Sequence, residues 1–140
     1  MTGVHDVNGS ALVNALSKLL KEDKDLKAPV WTTYVKTGVH VERPPENKDW
    51  WFVRLAALLR TLYVQDKIGV QKLRNKFGGR RKVGYRHKRH FKAGGKIIRV
   101  GLQMLEKKGY VMTVAKKGRV LTDKGKSLLD KTAAGLVKKV

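Results

Sequence analysis

Residues 49–65 read DWWFVRLAALLRTLYVQ, and no other stretch constrains the fold so tightly. Apolar side chains run almost the whole way round a helical wheel, interrupted by Arg54, Arg60 and Thr61. A helix at a protein surface carries one apolar stripe, whereas one that is apolar on most sides must be packed on most sides. The spacing therefore predicts a central helix over 49–65 with the other elements arranged around it. Its arginines then need an explanation, because a guanidinium is too costly to bury alone. Each either reaches outward to an anion or pairs with a carboxylate such as Asp49, and the scarcity of acidic residues favours the outside partner.

Upstream, VNGSALVNALSKLLKEDK places Leu12, Leu16, Leu19 and Leu20 at three- and four-residue steps behind a cap at Asn8 or Ser10, which predicts a helix over 8–23. The next segment is broken at Pro29 and ends at Gly38, leaving room for a short helix near 31–37 with Trp31, Tyr34 and Val35 in the core. HVERPPENK is a surface loop by its prolines and polar residues. Trp50, Trp51 and Phe52, in their helical setting, are core residues rather than a stacking platform.

Downstream, VQKLRNKF is a short helix stopped by Gly78 and Gly79. KIIRVGLQMLEKKG then sets Ile98, Leu102 and Leu105 on one stripe and Lys96, Arg99, Gln103 and Glu106 on the other, with Gly109 as the cap. YVMTVAKKGRVLT has the shorter period and the Lys-Lys-Gly turn of a hairpin. Thr122 caps a last helix over about 123–137, with Leu129, Ala133, Leu136 and Val140 on its stripe. The order of these elements predicts a mainly α, winged-helix-like domain around a central helix, with one small β-hairpin. Its core spans about 49–122, the N-terminal helices lie within 8–37, and the whole chain, 1–140, forms a single domain.

Charge points to the partner. The chain carries a formal net charge of +21. Residues 1–50 hold seven basic and seven acidic residues, so the excess belongs to the remaining ninety, with twenty-five basic against four acidic. Thirteen Lys or Arg and no carboxylate lie between Asp66 and Glu106. Internal ion pairs cannot neutralise such a run locally. A polyanion with closely spaced phosphates can, because each neutralised phosphate releases condensed counterions and that release drives binding.

The densest part is FGGRRKVGYRHKRHFKAGGKIIR, residues 77–99, which reads as a flexible basic loop hinged on two Gly-Gly pairs. Arg80, Arg81, Arg86 and Arg89 can fork onto phosphate oxygens, while Lys82, Lys88, Lys92 and Lys96 act as point charges. Tyr85, His87, His90 and Phe91 interleave rings able to stack on unpaired bases. Lys96 and Arg99 share a face at the start of the helix that a winged helix uses for recognition. The alternative for the loop is a solvated basic tract or a nuclear-localisation signal. Its position between two core-forming helices favours nucleic-acid binding.

Other functions find little support. The chain has no cysteine, and its four histidines are scattered, so neither a disulfide nor a metal site is expected; His87 and His90 in HKRH lack the further ligands zinc requires. No nucleophile, base and orienting partner combine into a catalytic constellation, so no enzyme, cofactor or small-molecule substrate is expected. No signal peptide or apolar run of membrane-spanning length occurs, which predicts a soluble intracellular protein. The first helix has a balanced polar face, unlike a membrane-surface helix. A DNA-binding winged-helix regulator is the strongest rival. Such a protein reads base edges through its recognition helix, and here the charge lies chiefly on the preceding loop, which suits irregular RNA better.

Six dispersed segments, VNGSALVNALSKLLK, APVWTTYVKTG, DWWFVRLAALLRTLY, FGG followed by Arg80, HFKAGGKIIRVGLQMLEKKGYV and GRVLTDKGKSLLDK, occur in the order and near the spacing of one family. Over residues 3–137 the chain resembles the small-subunit ribosomal proteins called nineteen-e, shared by archaea and eukaryotes. The resemblance implies a winged-helix-like domain in the head of the small subunit, with small-subunit ribosomal RNA and neighbouring ribosomal proteins as partners. It also implies a role in maturation of the subunit precursor and its RNA. The location it implies is the cytoplasmic ribosome, with nuclear and nucleolar passage during assembly if the source is eukaryotic. By motif, Arg54 and Arg60 fall on the family's two central-helix arginines, Gly78, Gly79 and Arg80 on its Gly-Gly-Arg turn, and Arg99 on its basic residue early in the next helix. Family members usually carry Asn-Arg-Gly and a proline between the Gly pairs, where this chain has Lys82, Val83 and Gly84 and no proline.

Overall fold

The computed structural model describes residues 3–138. Five helices and two antiparallel ribbons follow in the order α1 (Gly9–Glu22), α2 (Trp50–Gln65), α3 (Val70–Phe77), β1 (Gly79–Arg81), β2 (Arg89–Phe91), α4 (Gly95–Lys107), β3 (Val111–Val114), β4 (Gly118–Leu121) and α5 (Asp123–Lys138). α2 is the expected axis. It packs against α1, α4, α5 and β4, and Trp51, Leu55, Ala56, Leu58, Leu59 and Leu62 lie at its buried faces. Thr61, also buried, returns its hydroxyl to the Ala57 carbonyl at 2.8 Å, so no polar group is stranded there.

Local sequence explains the ends. Asn8 caps α1 by accepting from the Ser10 N–H at 2.9 Å. At the end of α4 the N–H groups of Gly109 and Tyr110 bond back to the carbonyls of Glu106 and Leu105, a Schellman motif. Thr122 caps α5 by accepting from the Gly125 N–H at 3.3 Å. Leu129 and Ala133 of α5 are buried as its stripe requires, whereas Val140 lies outside the described residues. The β3–β4 hairpin, in register Val111 to Leu121, is the wing, and Ile68 joins its edge through paired backbone bonds with Arg119. α2, α3, α4 and the wing thus form the winged-helix arrangement, clasped by α1 and α5.

Two expectations are corrected. The helix near 31–37 is a single 3-10 turn, Val30–Thr33. The hydroxyls of Thr32 and Thr33 bond to the carbonyls of Pro29 and Val30 at 2.7 and 2.9 Å, which competes with helix propagation. The turn instead serves Trp50, whose indole N–H donates to the Thr32 carbonyl at 3.1 Å, and sets Trp31 edge-on to Trp51 at 5.4 Å. Tyr34 is exposed rather than core, while Trp31 and Val35 are partly buried. Secondly, the basic loop is no loop at its base: β1 and β2 make it a second hairpin, in register Gly79 to Phe91, Arg80 to His90 and Arg81 to Arg89.

Candidate nucleic-acid interface

The basic ribbon grows out of a close junction between α3 and the strand leading to α4. The Ala93 N–H donates to the Arg74 carbonyl at 2.9 Å, and Arg74 Nε donates back to the Ala93 carbonyl at the same distance. The Gly94 N–H donates to the Thr37 carbonyl at 2.9 Å. At Gly78 the backbones approach so closely that a Cβ would fall 2.2 Å from the Phe91 carbonyl oxygen. Gly78 and Gly79, and Gly94 with Gly95, are therefore packing residues at a fixed junction and not hinges. His40 completes it: its imidazole fills the space beneath Gly79, where a Cβ would meet Cδ2 at 2.8 Å.

Above the junction the ribbon carries the charge outward. Arg81 and Arg89 stand directly opposite each other on one face, and like charges so placed are destabilising unless something negative lies between them. Arg81 Nη1 donates to the Val39 carbonyl at 2.7 Å, and His90 Nε2 lies 3.1 Å from the Asn75 carbonyl. Lys92 Nζ donates to Gln71 at 3.1 Å. Arg80, Lys82, Arg86, His87, Lys88 and Arg89 are all exposed.

Four carboxylates are held by basic residues elsewhere. Asp49, the suggested partner of the central-helix arginines, pairs instead with Lys21 at 2.9 Å. Glu106 holds Arg119 at 2.8 Å, and Asp23 and Asp25 hold Lys108 at 2.7 and 3.1 Å. The Lys108 ammonium beside Asp23 keeps that carboxyl below its usual range. Among the described residues no acidic side chain forms an ion pair with any arginine or lysine of residues 54–99.

Arg54 and Arg60 do not come together. Arg54 lies near the ribbon base, its guanidinium 4.6 Å from the Phe77 ring centroid. Its Nη1 is enclosed without a hydrogen-bond partner, and burial pulls the guanidinium below its usual pKa. Burial, followed by the nearby Arg54 charge and then His90, likewise holds His40 below the ordinary imidazole pKa. The cleft at Arg54, about 380 Å³, is walled by Val41, Pro45, Val53 and Phe77, with Arg43 on its lining. Arg60 instead lies over the start of α1, against Gly9, its Nε also enclosed and unpartnered. There it lines a cleft of about 490 Å³ with Asn8, Ser10 and Asn14, at the positive end of the α1 dipole. Val53 borders both clefts, so the two arginine sites adjoin.

On α4, Lys96 lays its ammonium 5.3 Å from the Trp31 ring centroid and Arg99 is exposed. Sequence reasoning missed Arg74 and His40, which build the junction. Arg74 bonds to backbone, which no residue pattern announces, and His40 sits in an aperiodic loop, remote in sequence from the glycine it packs beneath. Among the described residues there is no group of three or more His, Asp or Glu able to hold a metal, and no helix is long and apolar enough to cross a membrane.

Comparison with known proteins gives one family. The model of "Ribosomal protein S19e" matches residues 3–139. A protein of Aeropyrum pernix is 39% identical over 142 residues, covering 100% of this chain and 93% of its own length. A protein of Haloarcula marismortui is 42% identical over 141 residues, covering 98% and 92%. Both are called small ribosomal subunit protein eS19. A nematode relative from Ascaris suum, called small ribosomal subunit protein eS19G, is 38% identical over 134 residues, covering 95% of this chain and 90% of its own length.

Proposed function

The chain belongs to the ribosomal protein S19e family, and from that premise we propose that it is a structural, non-enzymatic constituent of the small ribosomal subunit, binding ribosomal RNA in the subunit head. On this reading the whole chain acts as one RNA-binding domain. The ribbon, α4 and the two arginine clefts form a continuous docking surface for phosphates, and neighbouring ribosomal proteins cover other faces. Arg80, Arg81, Arg86, Arg89, Lys82, Lys88, Lys92, Lys96 and Arg99 supply the charge. His87 and His90 flank it, and Arg54 and Arg60 gain from RNA the anion that the protein withholds. Gly78 and Gly79 act by fixing where the ribbon points. The protein works in cytoplasmic ribosomes, supports maturation of the subunit precursor and its RNA, and in a eukaryotic cell passes through the nucleolus.

The observation that carries this reading is the Arg81–Arg89 pair, two like charges at opposed positions of the ribbon's ladder with no carboxylate paired to either. A phosphate between them turns a repulsion into a pair of charge-assisted hydrogen bonds. The test is affinity of the whole chain for structured RNA across a salt series. Changing Arg80, Arg81 and Arg89 together to Ala lowers the log-log salt slope by up to about one unit for each phosphate no longer neutralised, with the fold intact. An unchanged slope overturns the clamp. Tighter binding to one palindromic DNA duplex than to structured RNA overturns the ribosomal reading in favour of a DNA-binding regulator.

A further inference from the structure

The basic ribbon carries four rings, and the structure separates them. Phe91 is partly buried at the ribbon base, in register with Gly79. His90 is turned to the Asn75 carbonyl. His87 is exposed in the stretch returning to β2. Tyr85 alone stands at the apex, fully exposed, on a turn closed by the Arg86 N–H donating to the Val83 carbonyl at 3.2 Å. Gly84, the first central residue of that turn, has φ of +59°, the left-handed value a type II′ turn asks of that position and glycine supplies. Val83, the first residue of the same turn, is half exposed.

A whole aromatic side chain in water adds nothing to the fold, so its place needs another reason. Its surroundings narrow the choice. Lys82, Arg86, His87, Lys88 and Arg89 are exposed around it and no acidic residue lies in the ribbon, so what meets the apex is a polyanion. A flat ring presented to a polyanion can make one interaction the cations lack, with the face of an unpaired base. A tyrosine is also rigid, with two side-chain torsions, and loses little freedom when it stacks. We propose that Tyr85 is the base-stacking residue of the ribbon, taking one unpaired base of single-stranded or looped RNA while the surrounding guanidinium and ammonium groups hold its flanking phosphates. This deepens the RNA-binding reading and rests on it. It makes the ribbon selective for places where the RNA is not paired, because bases inside a duplex offer no free face.

The experiment uses the whole chain and two fluorescently labelled RNAs of equal phosphate number, one a perfect hairpin stem with a minimal loop and one single-stranded. Tyr85→Ala lowers affinity for the single strand about 5- to 150-fold and leaves its salt slope and the stem affinity unchanged, since stacking releases no counterions. Tyr85→Phe retains the affinity and Tyr85→Leu does not. Equal loss on both RNAs, no loss on either, or full rescue by Leu overturns the proposal, the last by reducing Tyr85 to an apolar contact. Unchanged RNA affinity together with failure of Tyr85→Ala to associate with the subunit overturns it too, assigning the ring to a protein neighbour instead. If the unaltered chain binds neither RNA with a salt-dependent affinity, the RNA-binding reading itself falls. That result is distinct from one in which both RNAs bind and Tyr85 makes no difference.

Discussion

Gly78→Ala is the sharpest perturbation of the ribbon. The added Cβ would stand 2.2 Å from the Phe91 carbonyl oxygen, 3.0 Å from Lys92 Cα and 3.1 Å from the Arg74 carbonyl oxygen, all backbone and none able to swing aside. Relief requires the β2 end of the ribbon to move off α3 by roughly 1 Å, against an ordinary contact of 3.4 Å or more. That motion breaks or stretches three bonds: Ala93 N–H to Arg74, Arg74 Nε to Ala93, and His90 to Asn75. At about 0.5–1.5 kcal/mol net for each, the loss is roughly 2–4 kcal/mol. For a chain of this size a kcal/mol is about 2–4 °C in Tm, so melting falls by roughly 5–15 °C. Urea unfolding measures the free energy, and hydrogen exchange at the β1 and β2 amides shows whether the ribbon frays first. A variant with wild-type stability and unchanged exchange in the ribbon would refute the fixed junction and restore a hinge.

Three more outcomes follow from the buried charges. Arg54→Met removes an enclosed donor that has no partner, a penalty of about 1–3 kcal/mol. It also gives up a cation–ring interaction with Phe77 worth about 0.5–1 kcal/mol, so Tm in the absence of RNA rises while RNA affinity falls; a drop in both would show that Arg54 holds the fold together. Arg60→Ala breaks no ion pair, and the packing it gives up over Gly9 offsets the relief of its enclosed, unpartnered Nε, so Tm stays near wild type while the salt slope of RNA binding falls by about one unit; a large drop in Tm with unchanged affinity would make its role structural. His40, whose pKa is lowered first by burial and then by the nearby Arg54 and His90, has a folded pKa below its unfolded value of 6.5. The unfolded chain therefore takes up the proton first, and stability present above pH 6.5 is lost as pH falls towards the folded pKa. Urea titrations between about pH 7.5 and 5 show this loss in the wild type and its disappearance in His40→Asn; identical pH profiles would contradict the buried imidazole.

The helical frame was legible because it rests on periodicity. The central helix declared itself by being apolar all round, α4 by the stripe of Ile98, Leu102 and Leu105, and the wing by its change of period at Tyr110. The basic ribbon was not legible as a ribbon. Its strands are three residues long and read Gly-Arg-Arg and Arg-His-Phe, with no alternation of apolar and polar side chains to mark them. What orders them is tertiary: Arg74 gripping Ala93, Gly94 on Thr37, and His40 beneath Gly79. Charge counting nonetheless located the surface without carboxylates that the proposed RNA contact uses, because the absence of acidic residues between Asp66 and Glu106 holds whatever path the backbone takes. It failed to separate Arg54 from Arg60, which the helical rotation between them turns to different faces of α2, each with its own cleft.

Sedimentation is the most direct test of the account. A tagged copy of the chain, expressed in its own cell and run on a polysome gradient, should travel with free small subunits, with single ribosomes and with polysomes, and should leave the polysome fractions for the small-subunit fraction when the subunits are dissociated. A chain that stays at the top of the gradient, or that sediments with large subunits alone, contradicts the claim that it is built into the small subunit.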